Sequence, residues 1–186
     1  MIVLVLGNHC TATNEVAKAL KDVGAYTGYH TDGYREYCEI PEAHALHKQY
    51  IGEAWKAPKP GLFPTDAYRD LLETLEAEHD RVVLSDPRLS FCIDEVLSIG
   101  KSLRTKTRIV VVDVDPHTAA ERILARDKAV ESGRMTPQEA LRVAQTYDAP
   151  LRAWMSDTNR NYLRLEEPIA AMDDLYDYCE VKDAAE

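Results

Sequence analysis

Hydrophobic positions along this chain follow two periods in alternation. Ile2-Val3-Leu4-Val5-Leu6 is continuously apolar, whereas Val16, Leu20 and Val23 recur at helical spacing. A short unbroken apolar run marks a strand buried on both faces, and a three-to-four spacing marks the buried stripe of a helix. The same exchange repeats downstream. Strands are predicted over 81–85, 108–113 and 161–165. Helices are predicted over 41–55, 65–79, 116–130, 137–154 and 169–178, with a short helix after Arg88 that Gly100 terminates. Gly24 is placed to stop the first helix, Thr65 and Asp115 to cap helices, and Pro41 and Pro116 to be first helical residues. Thr136-Pro137-Gln138-Glu139 reads as a capping box. Residues 25–40, rich in Tyr, Gly and Asp, and residues 56–64, with three prolines and a glycine, read as connecting loops.

Strands alternating with helices, each strand apolar throughout, predict an α/β fold with three αβα layers and a mostly parallel sheet. At 186 residues the chain is read as one domain over 1–186. In open sheets of this kind ligands bind beyond the carboxyl ends of the strands. Residues 7–14, 86–88 and 113–117 all fall there.

The first of these segments, Gly7-Asn8-His9-Cys10-Thr11-Ala12-Thr13-Asn14, joins a buried strand to a helix start. Such a junction offers unpaired backbone N–H groups and the positive end of a helix dipole, which suits a phosphate or sulfate. Against the phosphate-loop pattern G-x-x-x-x-G-K-[ST] only the first glycine matches; Ala12, Thr13 and Asn14 stand where Gly, Lys and Ser/Thr belong. The other reading of the segment is an ordinary first βα turn.

Charge narrows the partners. With 22 Lys and Arg against 32 Asp and Glu the chain carries a formal −10, which disfavours non-specific nucleic-acid binding and attachment to an anionic membrane. Lys101, Arg104, Lys106 and Arg108 read as a solvated basic strip. No stretch approaches the roughly 20 apolar residues of a membrane span. Cys10, Cys38, Cys92 and Cys179 form no C-x-x-C pair, and the N-terminal run is too short for a secretory signal, so free thiols and a cytoplasmic location are expected. His44-x-x-His47, with Cys38 upstream, has metal-binding spacing but no third ligand, so these histidines are assigned to a solvated helix face and no metal site is assigned.

Asp86 and Arg88 leave a strand end together, separated by a proline that fixes the turn. They suit a base for a hydroxyl proton beside a cation for a transferring anionic group. The alternative is an Asp cap with a surface Arg. Arg122 and Arg126 share a helical face, and Arg134 follows in a loop; this basic region is suited to closing over a nucleotide, or else pairs with Glu121 and Glu131. Thr11 and Thr13 offer hydroxyls to a phosphate or Mg²⁺, His9 a donor to the transferred group, and Cys10 is a small filler. Tyr26, Tyr29, Tyr34 and Tyr37 either stack on an acceptor ring or cover the domain edge.

Together these stretches resemble the sulfotransferase-like group of P-loop proteins. Its loop G-M-H-R-S-G-T-S is similar to residues 7–14, its K-D-P-R to Ser85-Asp86-Pro87-Arg88, its E-x-x-E-x-x-A-L to residues 39–46, and its S-x-E-E-A-L helix to residues 136–147. The resemblance implies a P-loop NTPase-like fold and a nucleotide donor. The chain departs from the pattern where Cys10 replaces the loop cation, where Val114 replaces the arginine that binds the donor's 3′-phosphate, and where Arg122 replaces a serine. Asp113 and Asp115 flank Val114, a poor setting for 3′-phosphoadenosine 5′-phosphosulfate.

Residues 83–88 and 112–116, with Ala120, Glu121, Arg122 and Arg126, also resemble thymidylate-kinase-like proteins, a neighbourhood that includes phage kinases of hydroxymethylated pyrimidine in DNA. Thr13 cannot supply the charge of the missing loop lysine, so Lys18, Arg88 or Arg122 would have to. The expectation is a transferase moving a phosphoryl group from ATP, with Mg²⁺ admitted, to a hydroxyl-bearing acceptor. Sulfuryl transfer is placed just behind it, and a non-catalytic nucleotide-binding module is the third reading. Residues 7–14 are assigned to the nucleotide donor, and Asp86, Arg88, Arg122 and Arg126 to catalysis.

Overall fold

The computed structural model describes residues 1–31, 36–130, 133–166 and 172–180. In chain order the elements are β1 (Ile2–Gly7), α1 (Thr13–Asp22), β2 (His30–Thr31), β3 (Glu36–Tyr37), α2 (Pro41–Ile51) and α3 (Thr65–Glu78). There follow β4 (Val82–Ser85), a 3₁₀ turn (Pro87–Phe91), α4 (Ile93–Ser102), β5 (Thr107–Val112), α5 (Pro116–Val130), α6 (Pro137–Met155), β6 (Leu163–Leu165) and α7 (Met172–Tyr178). The fold is α/β, as the alternating periods require.

Among the described residues β4, β1, β5 and β6 form one sheet in that order, with every pairing parallel. β1 lies inside the sheet and is buried along its whole length, which is why it is apolar at every position. Its alternate side chains serve two cores. Ile2, Leu4 and Leu6 pack with the α2–α6 side, and Val3 and Val5 pack with α1 and α7. Tyr26 adds a single parallel bridge to Val82 beyond β4, at the start of the stretch expected to be a loop. That stretch also contains the antiparallel β2–β3 hairpin, which pairs His30 with Tyr37 and Thr31 with Glu36. Period-two burial is too short there to read from sequence. Tyr34, Glu131 and the expected start of the last helix at 169 lie outside the described residues.

Proline and capping signals hold at Pro41, Pro116 and Pro137, each a first helical residue, and at Thr136 and Glu139, whose reciprocal capping box is complete. Asp115 accepts from the His117 and Thr118 N–H groups and caps α5. Two signals are corrected. Thr65 is not a cap but the first residue of α3, with its hydroxyl donating to the Phe63 carbonyl. Gly100 does not end α4, which continues to Ser102; a Cβ at this glycine would stand 2.9 Å from Thr107 Oγ1, so it permits close approach to the start of β5. Lys106 and Arg108, expected to be solvated, both pair with Glu180. No described helix is long and apolar enough to cross a membrane, and all four cysteines are free thiols.

Candidate functional site

A cleft of about 1110 Å³ opens over the carboxyl ends of β1, β4 and β5. Its floor is the β1–α1 loop. Gly7 ends β1 where a Cβ would come within 2.6 Å of both Thr11 Oγ1 and Thr13 Cγ2, so the loop can fold back only over a glycine. Asn8 braces it: Nδ2 donates to the Ala144 carbonyl on α6, Oδ1 accepts from the His9 N–H, and the Asn8 carbonyl accepts from the Thr11 hydroxyl at 2.8 Å. Cys10 takes the left-handed conformation, φ 60°, at the reversal. α1 then begins at Thr13 without a side-chain cap, and residues 9–15 line the cleft. The first-turn amides of α1 and its dipole therefore face a space fit for an anion.

Opposite the loop stands Arg88, 7 % exposed, on the 3₁₀ turn after β4. Asp86 Oδ1 accepts from the Arg88 backbone N–H at 2.8 Å and from its Nη1 at 3.2 Å, which fixes the guanidinium. Arg88 Nε is buried with no hydrogen-bond partner among the described residues. α5 contributes Arg122 and Arg126 to the same cleft. Arg122 Nη1 donates to the Cys10 carbonyl at 3.4 Å, and Arg126 lies 5.9 Å and 5.6 Å from the Tyr37 and Trp55 ring centroids. Arg88, Arg122 and Arg126 thus bring three guanidinium groups to the cleft. Lys18 does not; it pairs with Asp22 on the outer face of α1. Arg134 is not among the residues lining the cleft.

Asp86 is placed differently from its expected role. It is 2 % exposed, lies beneath the cleft and is absent from its wall. Besides holding Arg88 it accepts from His47 Nδ1 at 2.9 Å, while His47 Nε2 meets the Tyr68 hydroxyl at 2.9 Å. Burial opposes its charge, but His47, His44 and Arg88 together hold its carboxyl well below the usual range. Oδ1 thus takes both Arg88 bonds and Oδ2 the His47 bond, and Asp86 is not among the residues lining the cleft. His47 is 1 % exposed, so α2 does not present its histidines on a solvated face. The side chain of Asn14 is also otherwise engaged. It donates to the Glu36 carbonyl and accepts from the Cys38 N–H, clamping the hairpin over α1.

His9 lines the cleft with its ring tilted on Trp55 at 4.7 Å and edge-on to Tyr147 at 4.4 Å. Burial, and next the positive Arg88, lower its pKa to about 3, so the imidazole is neutral, and its Nε2 has no hydrogen-bond partner among the described residues. The Tyr147 hydroxyl in turn donates to the Trp55 carbonyl, tying α6 to this wall.

On the far wall are residues that the sequence assigned neither to the donor nor to catalysis. His30, Glu39 and His44 all line the cleft. Burial raises the pKa of Glu39. For His44 burial works downward, but the carboxylates of Asp86 and Glu39 prevail and lift it to about 9. Glu39 stood in a motif only as part of a family pattern, His44 was weighed for a metal only with His47 and Cys38, and His30 is nine residues upstream of Glu39. The pairing of β2 with β3 brings it to them.

Asp113 also departs from expectation. It is the bidentate partner of Arg152 and is bound as well by Arg164, so its charge is matched on both sides. Asp115 is spent capping α5. Arg152 and Arg164 thereby offset the Asp113 part of the acidic setting anticipated around Val114, and Val114 itself lines the cleft.

No protein-family model and no curated protein matches this chain. Among solved structures, a sulfotransferase domain from the curacin biosynthetic pathway is similar at 14% identity and a TM-score of 0.46, over 99% of this chain and 75% of that one. Two de novo designed proteins of P-loop NTPase fold are similar at 12% and 14% identity and TM-scores of 0.33 and 0.30, each over 87% of this chain and the whole of the design.

Proposed function

We propose that this chain is a nucleotide-dependent group transferase that moves a sulfuryl group from a phosphosulfate donor of the 3′-phosphoadenosine 5′-phosphosulfate type to a hydroxyl acceptor. The observation that carries this reading is Arg88, locked from below by Asp86 and facing a cleft whose opposite wall is an uncapped helix start. Sulfuryl transfer demands fixed positive groups around an anion whose charge sits on peripheral oxygens, and donors held before reaction cost no reorganisation during it. The amides of residues 9–15 receive the donor's phosphate, and Arg88 and Arg122 flank the transferring group. The acceptor oxygen attacks sulfur, the sulfur–oxygen bond to the donor phosphate breaks, the bisphosphate leaves with that bond's electrons, and the acceptor proton passes to Glu39 on the far wall. Neutral His9 donates or accepts one hydrogen bond without adding charge.

Phosphoryl transfer from ATP ranks second. Its Mg²⁺ would be expected at a strand-end carboxylate, and Asp86 is engaged with Arg88 and His47 instead. One observation favours it: Val114, at the cleft wall, offers no cation to a 3′-phosphate. Thermal shift separates the two. Adenosine 3′,5′-bisphosphate is expected to raise the melting temperature more than ATP with Mg²⁺ does, and Arg88→Met to abolish the rise. A larger rise with ATP would reverse the order, and no rise with either nucleotide would remove the transferase reading.

A further inference from the structure

Three cleft residues, from β2, from α2 and from the segment just before α2, converge, and of the three the transfer reaction uses only Glu39. His30 lies on β2, Glu39 just before α2, and His44 within it, and one nitrogen or carboxylate oxygen from each lies within 4.8 Å of the others. Two imidazoles and one carboxylate are the ligand set of zinc sites that keep a position open. We propose that His30, Glu39 and His44 bind a divalent first-row cation, zinc by preference, with the open coordination position turned to the cleft.

Geometry around His44 supports the assignment. Its Nδ1 stands 2.9 Å from Glu39 Oε2 and 3.2 Å from Asp86 Oδ2, yet it is buried without an aligned hydrogen bond. Two carboxylates directed at one imidazole nitrogen form a pocket for positive charge. A tetrahedral zinc ion holds its nitrogen and oxygen ligands about 3.4 Å apart, a spacing that modest side-chain rotations would reach from the observed one. The His30 and His44 rings are already 4.7 Å apart and inclined by only 30°, so both edges present to one region. Arg88, which lines the same cleft, has its charge met by Asp86.

The proposal stands on ligand geometry alone and is independent of sulfuryl transfer. It has one consequence for that reading. Glu39 cannot hold a cation and take up the acceptor proton together, so occupancy and turnover exclude each other.

The test uses the full chain and cobalt(II) as a spectroscopic probe. Titration is expected to give visible d–d bands of tetrahedral or five-coordinate intensity, saturating at one equivalent and displaced by zinc. His30→Asn, at the partly exposed hairpin, is expected to weaken cobalt binding at least about tenfold with an unchanged far-UV circular dichroism spectrum. Glu39→Gln serves as the second ligand variant, with the same expectation. Three results would overturn the proposal: no saturable bands, affinity unchanged in both variants, or a thiolate-to-cobalt charge-transfer band placing the ion on Cys10 or Cys38. Because the readout is spectral, it remains decisive even if no transferase activity is found.

Discussion

Asp86 shows how burial changes what a residue does. A carboxylate at the end of a strand beside an arginine looks like a base, but at 2 % exposure, with Arg88 and His47 on its oxygens, it is an anchor. Removing its charge leaves Arg88 buried without its counter-ion and His47 without an ionised hydrogen-bond partner. Asp86→Asn is therefore expected to lower unfolding free energy by about 3 kcal/mol in urea titration, the usual penalty for breaking a buried pair from one side. A variant with unchanged stability and lost turnover would restore Asp86 to the reacting groups. His9 gives a pH signature. Its folded pKa of about 3 lies below the ordinary 6.5, so between those values the unfolded chain holds a proton that the folded chain does not. Stability on its account is full above pH 6.5 and is lost as pH falls toward 3. Between about pH 7 and about pH 5.5 the protein should lose roughly 1 kcal/mol more than His9→Gln does, measured by urea unfolding at each pH. Equal losses would mean that His9 is solvated.

At the scale of elements the β1–α1 junction is defined by small side chains and braces. Gly7 has no room for a Cβ, and Asn8 joins the loop to α6, so loop position is coupled to a helix more than a hundred residues away in sequence. Gly7→Ala is expected to displace the loop and reduce bisphosphate binding at least about tenfold by calorimetry, the equivalent of about 1.4 kcal/mol, while the apolar core remains folded. Asn14 acts on a neighbouring element, since it carries hydrogen bonds to both Glu36 and Cys38. In Asn14→Ala the Cys38 amide loses its acceptor, so its hydrogen exchange should accelerate by about tenfold while amides in β1 keep their protection. Uniform acceleration would point to global destabilisation instead. These braces also bear on the candidate site. The hairpin held by Asn14 is the element that carries His30 to the cleft.

Over the whole molecule, a formal charge of −10 coexists with a cleft into which Arg88, Arg122 and Arg126 all face. On the proposed reading, local arrangement and total charge select differently: the three arginines favour a small anion, and a polyanion meets net repulsion. No retardation of duplex DNA is expected at about 0.15 M salt in a gel-shift assay; binding that weakens steeply with added salt would contradict this. Much of the architecture was legible in the sequence. Runs such as Ile2–Leu6 and Val82–Leu84 are apolar at every position because a strand inside a parallel sheet meets a helix layer on each side, and Pro116 and Thr136 mark helix starts because a missing N–H and a side-chain acceptor suit the first turn. The strand-end position of the cleft followed from the same alternation. What these local signals do not carry is which polar groups meet across the fold. The pairing of Asp113 with Arg152 and Arg164, the commitment of Asp86 to His47, and the convergence of His30 with Glu39 and His44 depend on separations and directions set only when helices and strands pack. Periodicity records which side of an element is buried, because solvent is shared by every fold. It does not record the partner waiting there, since that contact belongs to two distant segments at once, and here it decided which groups Asp86 and Asp113 hold.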